Sequence, residues 1–186
     1  MTIGFAMCGS YCTYDQVFPI LEELAQKHLI IPILSGNAAS TDTRFGSAEK
    51  HISRIQDICN RSPIRSIAEA EPIGPKKLLD ALIIAPCTGN TLAKLAHSIA
   101  DTPVTMAAKS HLRNSRPVII AVSTNDGLAG AAENIGRLIN RKHYYFVPFR
   151  QDDPLNKPTS LVADFTRISD TLEFAMSGKQ IQPLLL

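Results

Sequence analysis

Short apolar runs alternate with amphipathic stretches along the chain, and this alternation restricts the protein to a few fold classes. Five of the runs have the length of buried strands, and the middle ones are continuously apolar, as in a sheet covered on both faces. These runs are residues 3–7, 30–34, 82–85, 118–122 and 144–149, and residues 64–67 are a weaker sixth candidate. Strands that alternate with helices in this way form a parallel sheet joined by crossover helices.

The segment after the first run is predicted to form the first crossover helix. Its apolar residues recur at the spacing of one helix face, at positions 17, 21, 24 and 25. Thr13 and Gln16 have the spacing of a capping box at its start. Pro19 lies inside the predicted helix, where it removes a backbone donor, so the pattern predicts either an irregular first turn or a kink at this residue.

Later segments show the same helical spacing. They are residues 48–59, 90–99, 135–139 and 164–177. In the last of them Ile168, Leu172 and Met176 share one face, and Gly178 is placed to end the helix. Residues 151–159 contain two prolines and no periodic pattern, so they are predicted to form a loop.

The chain shows neither an internal repeat nor a linker, so its 186 residues are predicted to form a single domain, 1–186. The predicted fold class is α/β, with an open, doubly wound, mostly parallel sheet and helices on both faces. Rossmann-like and flavodoxin-like proteins have this architecture. Ligands of such sheets bind outside the carboxyl ends of the strands, so the loops at that edge are the first place to look for a site.

Charge and cysteine usage exclude several kinds of partner. The 19 Lys and Arg residues nearly balance the 17 Asp and Glu residues, and they form no basic stripe, so neither nucleic acid nor an anionic membrane is the expected partner. The four cysteines form no CxxC pair and the five histidines have no ligand-like spacing, so no metal site is expected. Without a recognisable signal or membrane-spanning segment, the protein is expected in the cytoplasm with reduced thiols.

Three polar loops follow predicted strands at the edge where ligands bind. They are residues 8–13, 35–37 and 86–91, all rich in Gly, Ser, Thr and Asn. Hydroxyl groups and free N–H groups at a helix N-terminus suit a phosphate ester, so the sequence favours a phosphorylated ligand. Neither GxGxxG nor GxxxxGK[ST] occurs, which excludes the commonest nucleotide motifs. Plain strand-to-helix turns with capping residues are the alternative for each loop.

The sequence shows no nucleophile paired with a base. Cys87 lies at a strand end before a helix, where a helix dipole could lower its pKa, although a buried and inert cysteine is the alternative. His51 and His97 fall within helical patterns and are expected on polar faces or at helix ends. Asp152 and Asp153 lie in the proline-containing loop, either as solvated charges or as contacts to a ligand.

The polar motifs, in their order and spacing, resemble the family of flavin-dependent cysteine decarboxylases and their homologues. The motifs are Gly9-Ser10, Ser35-Gly36, the segment IAPCTGNTLAKLAHSIAD at 84–101, and Ser123-Thr124-Asn125. The resemblance implies bound FMN, with its ring at a subunit interface, and homo-oligomers that are trimers or larger. It assigns flavin binding to Gly9, Ser10, Ser35, Pro86, Cys87, Thr88, Asn90, Thr91, Met106 and Ser123, and it leaves Cys87 and Asn125 as the candidate catalytic residues.

Two departures from that family argue against decarboxylation. Pro72 occupies the position that matches the catalytic histidine of the decarboxylases. Ser123-Thr124-Asn125 replaces their Pro-Ala-Met-Asn motif, which keeps the Asn and loses the Met. The resemblance therefore implies a different reaction on a related site.

A closer resemblance is to one subunit of a two-subunit enzyme that makes dipicolinate in the mother cell of sporulating bacteria. The segments that carry it begin at Gly9, Ser40, Ala70, Pro103 and Pro148, so it spans nearly the whole chain. It implies a partner, the A subunit, that resembles a dehydrogenase and uses NADP. The substrate implied is a pyridine dicarboxylate precursor, a dihydrodipicolinate-level intermediate of the lysine pathway.

Three hypotheses follow from the resemblance. In the first, this chain is an oxidoreductase subunit whose FMN takes part in oxidising the ring, with Cys87, Met106 and Asn125 near the flavin ring or the substrate. In the second, it is a binding or assembly subunit without a redox step, and in the third an FMN-dependent decarboxylase-like enzyme. Because dipicolinate is a dianion, a cationic side chain is expected near it, and the candidates are Arg44, Lys94 and Lys109.

Overall fold

The fold, described here for residues 1–186 from a computed structural model, is built on a seven-stranded sheet. Its strands are β1 (Thr2–Met7), β2 (Leu29–Leu34), β3 (Ala81–Cys87), β4 (Val118–Thr124), β5 (Tyr144–Phe146), β6 (Phe149–Arg150) and β7 (Leu161–Ala163). The first five pair in parallel in the order β2-β1-β3-β4-β5. This order is the flavodoxin-like one, and it confirms the predicted mostly parallel α/β class.

Eight α-helices connect or flank the strands. They are α1 (Tyr14–Lys27), α2 (Gly36–Ser40), α3 (Ala48–Cys59), α4 (Ile67–Ala70), α5 (Gly89–Ala96), α6 (Pro103–Leu112), α7 (Ala132–Ile139) and α8 (Ile168–Met176). Short 3-10 helices form at Tyr11–Thr13, Glu71–Ile73 and Phe165–Arg167. None of the helices combines the length and apolarity that crossing a bilayer requires.

The helices pack in two groups that cover the two faces of the sheet. In one group α1 contacts α3 and the 3-10 helix that leads into α8, and in the other α6 contacts α4 and α5, and α5 contacts α7. Every residue of the central strand β3 is buried, as expected when helices cover both faces. The core therefore lies on both sides of β1, β3 and β4, and only the strand ends are open to ligands.

Two strand predictions are wrong in detail. The run 144–149 is split, because β5 ends at Phe146 and Phe149 belongs to β6, an antiparallel partner of β7. Pro148 lies between the two strands, and a proline has no N–H to continue a sheet ladder. The candidate at 64–67 is not a strand, since Ile64 makes only an isolated bridge to Ile33 and Ile67 begins α4.

The helix predictions are largely confirmed, with corrections at the ends. The capping box at Thr13 does not form, because the Thr13 hydroxyl donates to the Ser10 carbonyl and a 3-10 turn precedes α1, so the first turn is the irregular part. Ile99 lies beyond the end of α5 and is exposed, and Met176 is exposed while Ala175 takes the buried position beside Ile168 and Leu172. Gly178, with φ of +73°, ends α8 as predicted.

Helix α6 is absent from the sequence prediction, although its start carries a recognisable signal. Thr102 caps it in a capping box with Thr105, and Pro103 is the first helical residue. The predicted loop at 151–159 is confirmed, since it contains neither helix nor strand.

Candidate functional site

The carboxyl ends of β1, β3 and β4 surround a cavity of about 240 Å³ lined mostly by polar residues. The hydroxyl oxygens of Ser10 and Ser123 lie 2.6 Å apart across it. Ser10 follows β1 and Ser123 lies near the end of β4, with β3 between these strands in the sheet. Two strands that are not neighbours therefore bring their hydroxyl groups together, and we refer to this cavity as the hydroxyl pocket.

The loop after β3 supplies the N-terminus of α5 to the hydroxyl pocket. Thr88 is the N-cap residue, and its hydroxyl accepts a hydrogen bond from the Thr91 N–H at 3.3 Å. The Thr91 hydroxyl in turn donates to Sγ of the buried Cys8, which ties α5 to the end of β1. The first N–H groups of a helix have no acceptors within the helix, so this end is a donor surface for a ligand.

Gly89 lets a carboxylate approach the first turn of α5. A Cβ atom at this position would lie 2.8 Å from the Thr124 hydroxyl and 2.8 Å from Oδ1 of Asp126. The Thr124 hydroxyl itself donates to that Asp126 oxygen. A hydrogen-bond acceptor, Asp126, therefore lies beside the donors of Thr88 and the α5 N-terminus.

A loop from β6 to β7 closes one side of the pocket. Within this loop Asp152 accepts hydrogen bonds from the Ser160 hydroxyl and from Lys157, whose Nζ lies 3.2 Å away. These two bonds hold the pKa of Asp152 below its ordinary value, so the carboxylate is charged. The ion pair with Asp152 also raises the pKa of Lys157. We call residues 151–159 the strap.

The predicted flavin residues divide into two sets. Those that line the hydroxyl pocket are Gly9, Ser10, Thr88 and Ser123, together with the candidate Asn125. Those that do not line it are Ser35, Pro86, Cys87, Asn90, Thr91 and Met106. Of the second set, the Ser35 hydroxyl caps α2 by accepting from the Ala38 N–H, and Met106 lies on α6, where it accepts from Ser110.

Cys87 is fully buried in β3, which opposes its proposed role as a nucleophile. Burial raises the pKa of its thiol well above the ordinary value, so it remains protonated. Its Sγ donates a weak hydrogen bond to the carbonyl oxygen of Thr88, at 3.9 Å. Any contribution of this position to ligand binding therefore comes from its backbone and from the turn that it begins.

The three cationic candidates for holding a dianion lie outside the pocket. Arg44 stacks over Phe45 at 4.9 Å from the ring centroid. Lys94 pairs with Asp101 at 2.7 Å, and Lys109 lines a different groove at the other end of the sheet. The cation in the hydroxyl pocket is Lys157, which is not among the predicted cations.

Five further residues that line the hydroxyl pocket were not among the predicted site residues. They are Cys12, Thr13, Thr124, Leu161 and Val162. Cys12 and Thr13 fall in the first polar loop, and Thr124 lies between the candidates Ser123 and Asn125. Their closeness to a strand end could therefore have predicted that they line the pocket. Lys157, Leu161 and Val162 carried no local signal, because the antiparallel pairing of β7 with β4 brings them to the pocket.

The flavodoxin-like sheet and the hydroxyl pocket define a flavoprotein-type domain, and the chain belongs to the Flavoprotein family, whose model matches residues 1–164. Over 185 residues the chain is 45% identical to the B subunit of dipicolinate synthase from Bacillus subtilis (strain 168), and the match covers 99% of this chain and 92% of that protein. The predicted resemblance to one component of a dipicolinate-forming enzyme is thereby confirmed.

Solved structures agree with this similarity. The crystal structure of the B subunit of dipicolinate synthase from Bacillus halodurans superimposes with a TM-score of 0.91 at 42% identity and covers 100% of this chain and 95% of that chain. The FMN-dependent cysteine decarboxylase SpaF superimposes with a TM-score of 0.71 at 22% identity, covering 94% of this chain and 97% of that one. At this identity the likeness to SpaF establishes the fold alone.

Proposed function

We propose that this chain is the B subunit of a dipicolinate synthase and that it binds FMN in the hydroxyl pocket. The observation that carries the proposal is the 45% identity to the B subunit of the Bacillus subtilis enzyme over 99% of the chain, which includes every strand end that forms the pocket. In the proposal, the chain works in a sporulating bacterium with the A subunit, which uses NADP. Together they oxidise a dihydrodipicolinate-level intermediate of the lysine pathway.

The donors and acceptors of the pocket fit a phosphorylated polyol such as the side chain of FMN. Phosphate oxygens can accept from the hydroxyls of Ser10, Thr88 and Ser123, from the first N–H groups of α5 and from Lys157. Asp126 approaches the first turn of α5 because Gly89 has no Cβ atom, and its carboxylate could accept from a polyol hydroxyl as it does from Thr124. A carboxylate so close to a phosphate site is unfavourable unless such hydroxyl donors are present.

Bound FMN would supply the capacity to accept a pair of electrons, which none of the side chains in the pocket has. The protein's own contribution is to bind and orient. The Ser10–Ser123 pair and the capped turn at Thr88 fix the donors before a ligand arrives, and Asp152 and Lys157 of the strap line one side of the pocket. Because Asp152 is charged and paired with Lys157, it serves as an electrostatic anchor of the strap.

The size of the pocket supports self-association as part of the proposal. At about 240 Å³ it is smaller than the roughly 300–1,000 Å³ typical of sites that enclose a whole small molecule. It can hold the phosphate and polyol portion of FMN, while the flat ring would extend beyond this chain. A second copy in a homo-oligomer, or the A subunit, would then cover the ring.

Reconstitution tests the proposal. The purified chain is incubated with FMN, freed of unbound flavin and examined for flavin absorption. Formation of dipicolinate from the dihydrodipicolinate-level intermediate is then measured in the presence of NADP and the A subunit. We expect flavin absorption, and faster product formation with flavin-loaded than with flavin-free protein. A Ser10→Ala/Thr88→Val variant should lose both, whereas Ser177→Ala, an equally small change at the exposed end of α8, should lose neither. A colourless protein, or equal rates with and without flavin, contradicts the redox role.

The second candidate function is a binding or assembly subunit, with all of the redox chemistry performed by its dehydrogenase-like partner. Pro72 in place of the decarboxylase histidine and the complete burial of Cys87 favour it, because both remove groups that could act on a substrate. The same reconstitution separates the candidates. For an assembly subunit, product formation needs both chains but does not change when FMN is omitted.

A further inference from the structure

A second cavity lies at the opposite edge of the sheet from the hydroxyl pocket. Its volume is about 510 Å³, and it lies between the C-terminal ends of α5 and α6 and the turn that leads into β5. Tyr144, the first residue of β5, lies at its base, so the cavity is at the amino edge of the parallel strands. We call it the basic groove.

Cationic side chains line the basic groove without any carboxylate among them. Lys109 and Arg113 come from α6 and its end, and Arg141 and Lys142 come from the facing turn. None of these four residues forms an ion pair. Asp101 lies next to the lining residue Ala100 in the chain, but it is paired with Lys94. The charges of the groove are therefore not neutralised within this chain.

The negative ends of the helix dipoles do not neutralise the positive charge of the basic groove. Arg141 already serves the C-terminus of α5, donating to the carbonyl oxygens of Leu95 and Ala96. Each helix C-terminus carries roughly half a negative charge, so the ends of α5 and α6 together offset about one positive charge. Lys109, Arg113, Arg141 and Lys142 carry four, which leaves the groove strongly positive.

The shape and polarity of the basic groove suit a small organic anion. Its volume falls in the roughly 300–1,000 Å³ range of small-molecule sites. Leu95, Leu112 and Tyr144 provide apolar surface against which a ring could lie. The cations lie on two sides of this surface, since Lys109 and Arg113 belong to the α6 side and Lys142 to the opposite turn. A ligand with an apolar body and an acid group at each end matches that arrangement.

The helix ends beside the basic groove leave recognition of an acid group to side chains. The groove borders the C-terminal ends of α5 and α6, which present carbonyl oxygens and no free N–H groups. An acid group must therefore be bound by the cations, and the planar guanidinium of Arg113 can bind a carboxylate with two hydrogen bonds.

We propose that the basic groove binds a small dicarboxylate with an apolar ring, of the pyridine dicarboxylate class. The choice of ring rests on the proposed function, whereas the two acid groups and the apolar body follow from the groove. The site is separate from the hydroxyl pocket, because the two cavities share no residue and lie at opposite edges of the sheet. Product or substrate held here would be bound without contact with the flavin site.

Calorimetric titration of the full-length, flavin-free protein with dipicolinate tests the proposal. We expect saturable binding that weakens as salt is added. An Arg113→Glu/Lys142→Glu variant should bind about tenfold or more weakly, because two cations become anions at the groove. A Lys50→Glu/Arg61→Glu variant has the same change in net charge at exposed residues in or just after α3, which packs against β2 on the far side of the sheet, and should bind within about twofold of the unmodified protein. Picolinate, with one carboxylate, and inorganic phosphate should bind more weakly than dipicolinate.

Three results would overturn the proposal. The first is no dipicolinate binding. The second is binding that is abolished by Lys157→Gln in the hydroxyl pocket and kept by the groove variant, a result that leaves the proposed function intact. The third is a groove variant that no longer associates with the A subunit yet keeps its dipicolinate affinity, which would make the groove a subunit interface. Since the titration uses flavin-free protein, failure of FMN binding does not alter its outcome.

Discussion

The hydroxyl oxygens of Ser10 and Ser123 lie 2.6 Å apart although 113 residues separate them in the chain. Their strands, β1 and β4, are not neighbours, because β3 lies between them. The hydrogen bond therefore passes over the end of β3, next to the turn that begins α5. It fixes the spacing of the two outer strand ends around that turn, and with it the width of the hydroxyl pocket.

Replacing Ser123 with alanine removes this cross-strand bond. We expect the free energy of unfolding to fall by about 1 kcal/mol, the usual contribution of a hydrogen bond within a protein. Urea denaturation measures the change. Ser177→Ala, at an exposed helix end, should change stability by less than about 0.5 kcal/mol. If the effects of Ser10→Ala and Ser123→Ala simply add in the double variant, the two hydroxyls do not interact.

A Cβ atom at Gly89 should disturb the acceptor side of the pocket. Gly89→Ala places a methyl group 2.8 Å from both the Thr124 hydroxyl and the Asp126 carboxylate, so the Thr124–Asp126 bond must shift. We expect a loss of about 1–2 kcal/mol in stability, measured by urea denaturation. Gly136→Ala is the matched control, because nothing lies within 4 Å of its Cβ position inside α7. It should stabilise the protein by about 0.5–1 kcal/mol. Equal effects of the two substitutions would contradict the close approach.

The strap should tune flavin affinity through two opposite charges. Asp152→Asn keeps an oxygen that can accept from the Ser160 hydroxyl, so the strap stays attached while the carboxylate charge is lost. This variant should bind FMN more strongly, because a negative charge leaves the neighbourhood of the phosphate and no longer pairs with Lys157. Lys157→Gln should weaken the binding of FMN, because a positive charge then leaves the neighbourhood of the phosphate. We expect changes of about threefold to tenfold in the dissociation constant, measured by flavin fluorescence quenching and smaller at high salt. Riboflavin, which lacks the phosphate, should respond to neither substitution, and an equal response would place the phosphate elsewhere.

The parallel core could be predicted because its signals are local. Strands β1, β3 and β4 are continuous apolar runs, and the polar residues Ser10, Thr88 and Ser123 follow them directly, so the common edge of a parallel sheet brings them together. The two antiparallel strands β6 and β7 could not be predicted. They have two and three residues, too few for a periodic pattern, and depend on pairing with β4 and with each other.

The residues of the strap could not be predicted to line the site either, because their position also depends on contacts with distant parts of the chain. Lys157 lies in a proline-containing loop whose sequence indicates only irregular structure. Its position depends on the Ser160–Asp152 bond and on the Thr159 hydroxyl, which donates to the Asn125 carbonyl oxygen. Asn90, in contrast, was predicted to bind the flavin because it belongs to the motif at 84–101. It is exposed and does not line the pocket.

Arg141 should stabilise the C-terminal end of α5. Its guanidinium donates to the carbonyl oxygens of Leu95 and Ala96 and to the Ser98 hydroxyl, a geometry that a lysine ammonium cannot reproduce. We expect Arg141→Lys to reduce stability by about 1–2 kcal/mol and to speed amide hydrogen exchange in α5. Lys142→Ala, at the adjacent residue without an ion pair, should leave that exchange unchanged. Since Arg141→Lys keeps the positive charge, unchanged exchange in this variant would mean that charge, not the hydrogen bonds, supports the helix end.

Stability should fall in mild acid because of His111. This side chain is fully buried in α6, its Nε2 donates to the Pro117 carbonyl oxygen at 3.1 Å, and its buried Nδ1 has no partner. Protonation would place a charge and an unpaired N–H in the core, so burial lowers the pKa of His111 to about 4. In the unfolded chain the same group has its ordinary pKa of about 6.5.

The direction of the pH dependence follows from these two pKa values. Between about pH 6.5 and pH 4 the unfolded chain binds a proton at His111 that the folded protein does not, so stability decreases as the pH falls through this range. The loss approaches about 1.4 kcal/mol per pH unit and totals about 3 kcal/mol. His111→Gln keeps a donor for Pro117 and cannot titrate. Urea denaturation from pH 8 to pH 4 should give this variant a shallower decline than the unmodified protein, with a constant offset above pH 7. Parallel curves would show that His111 titrates alike in the folded and unfolded states.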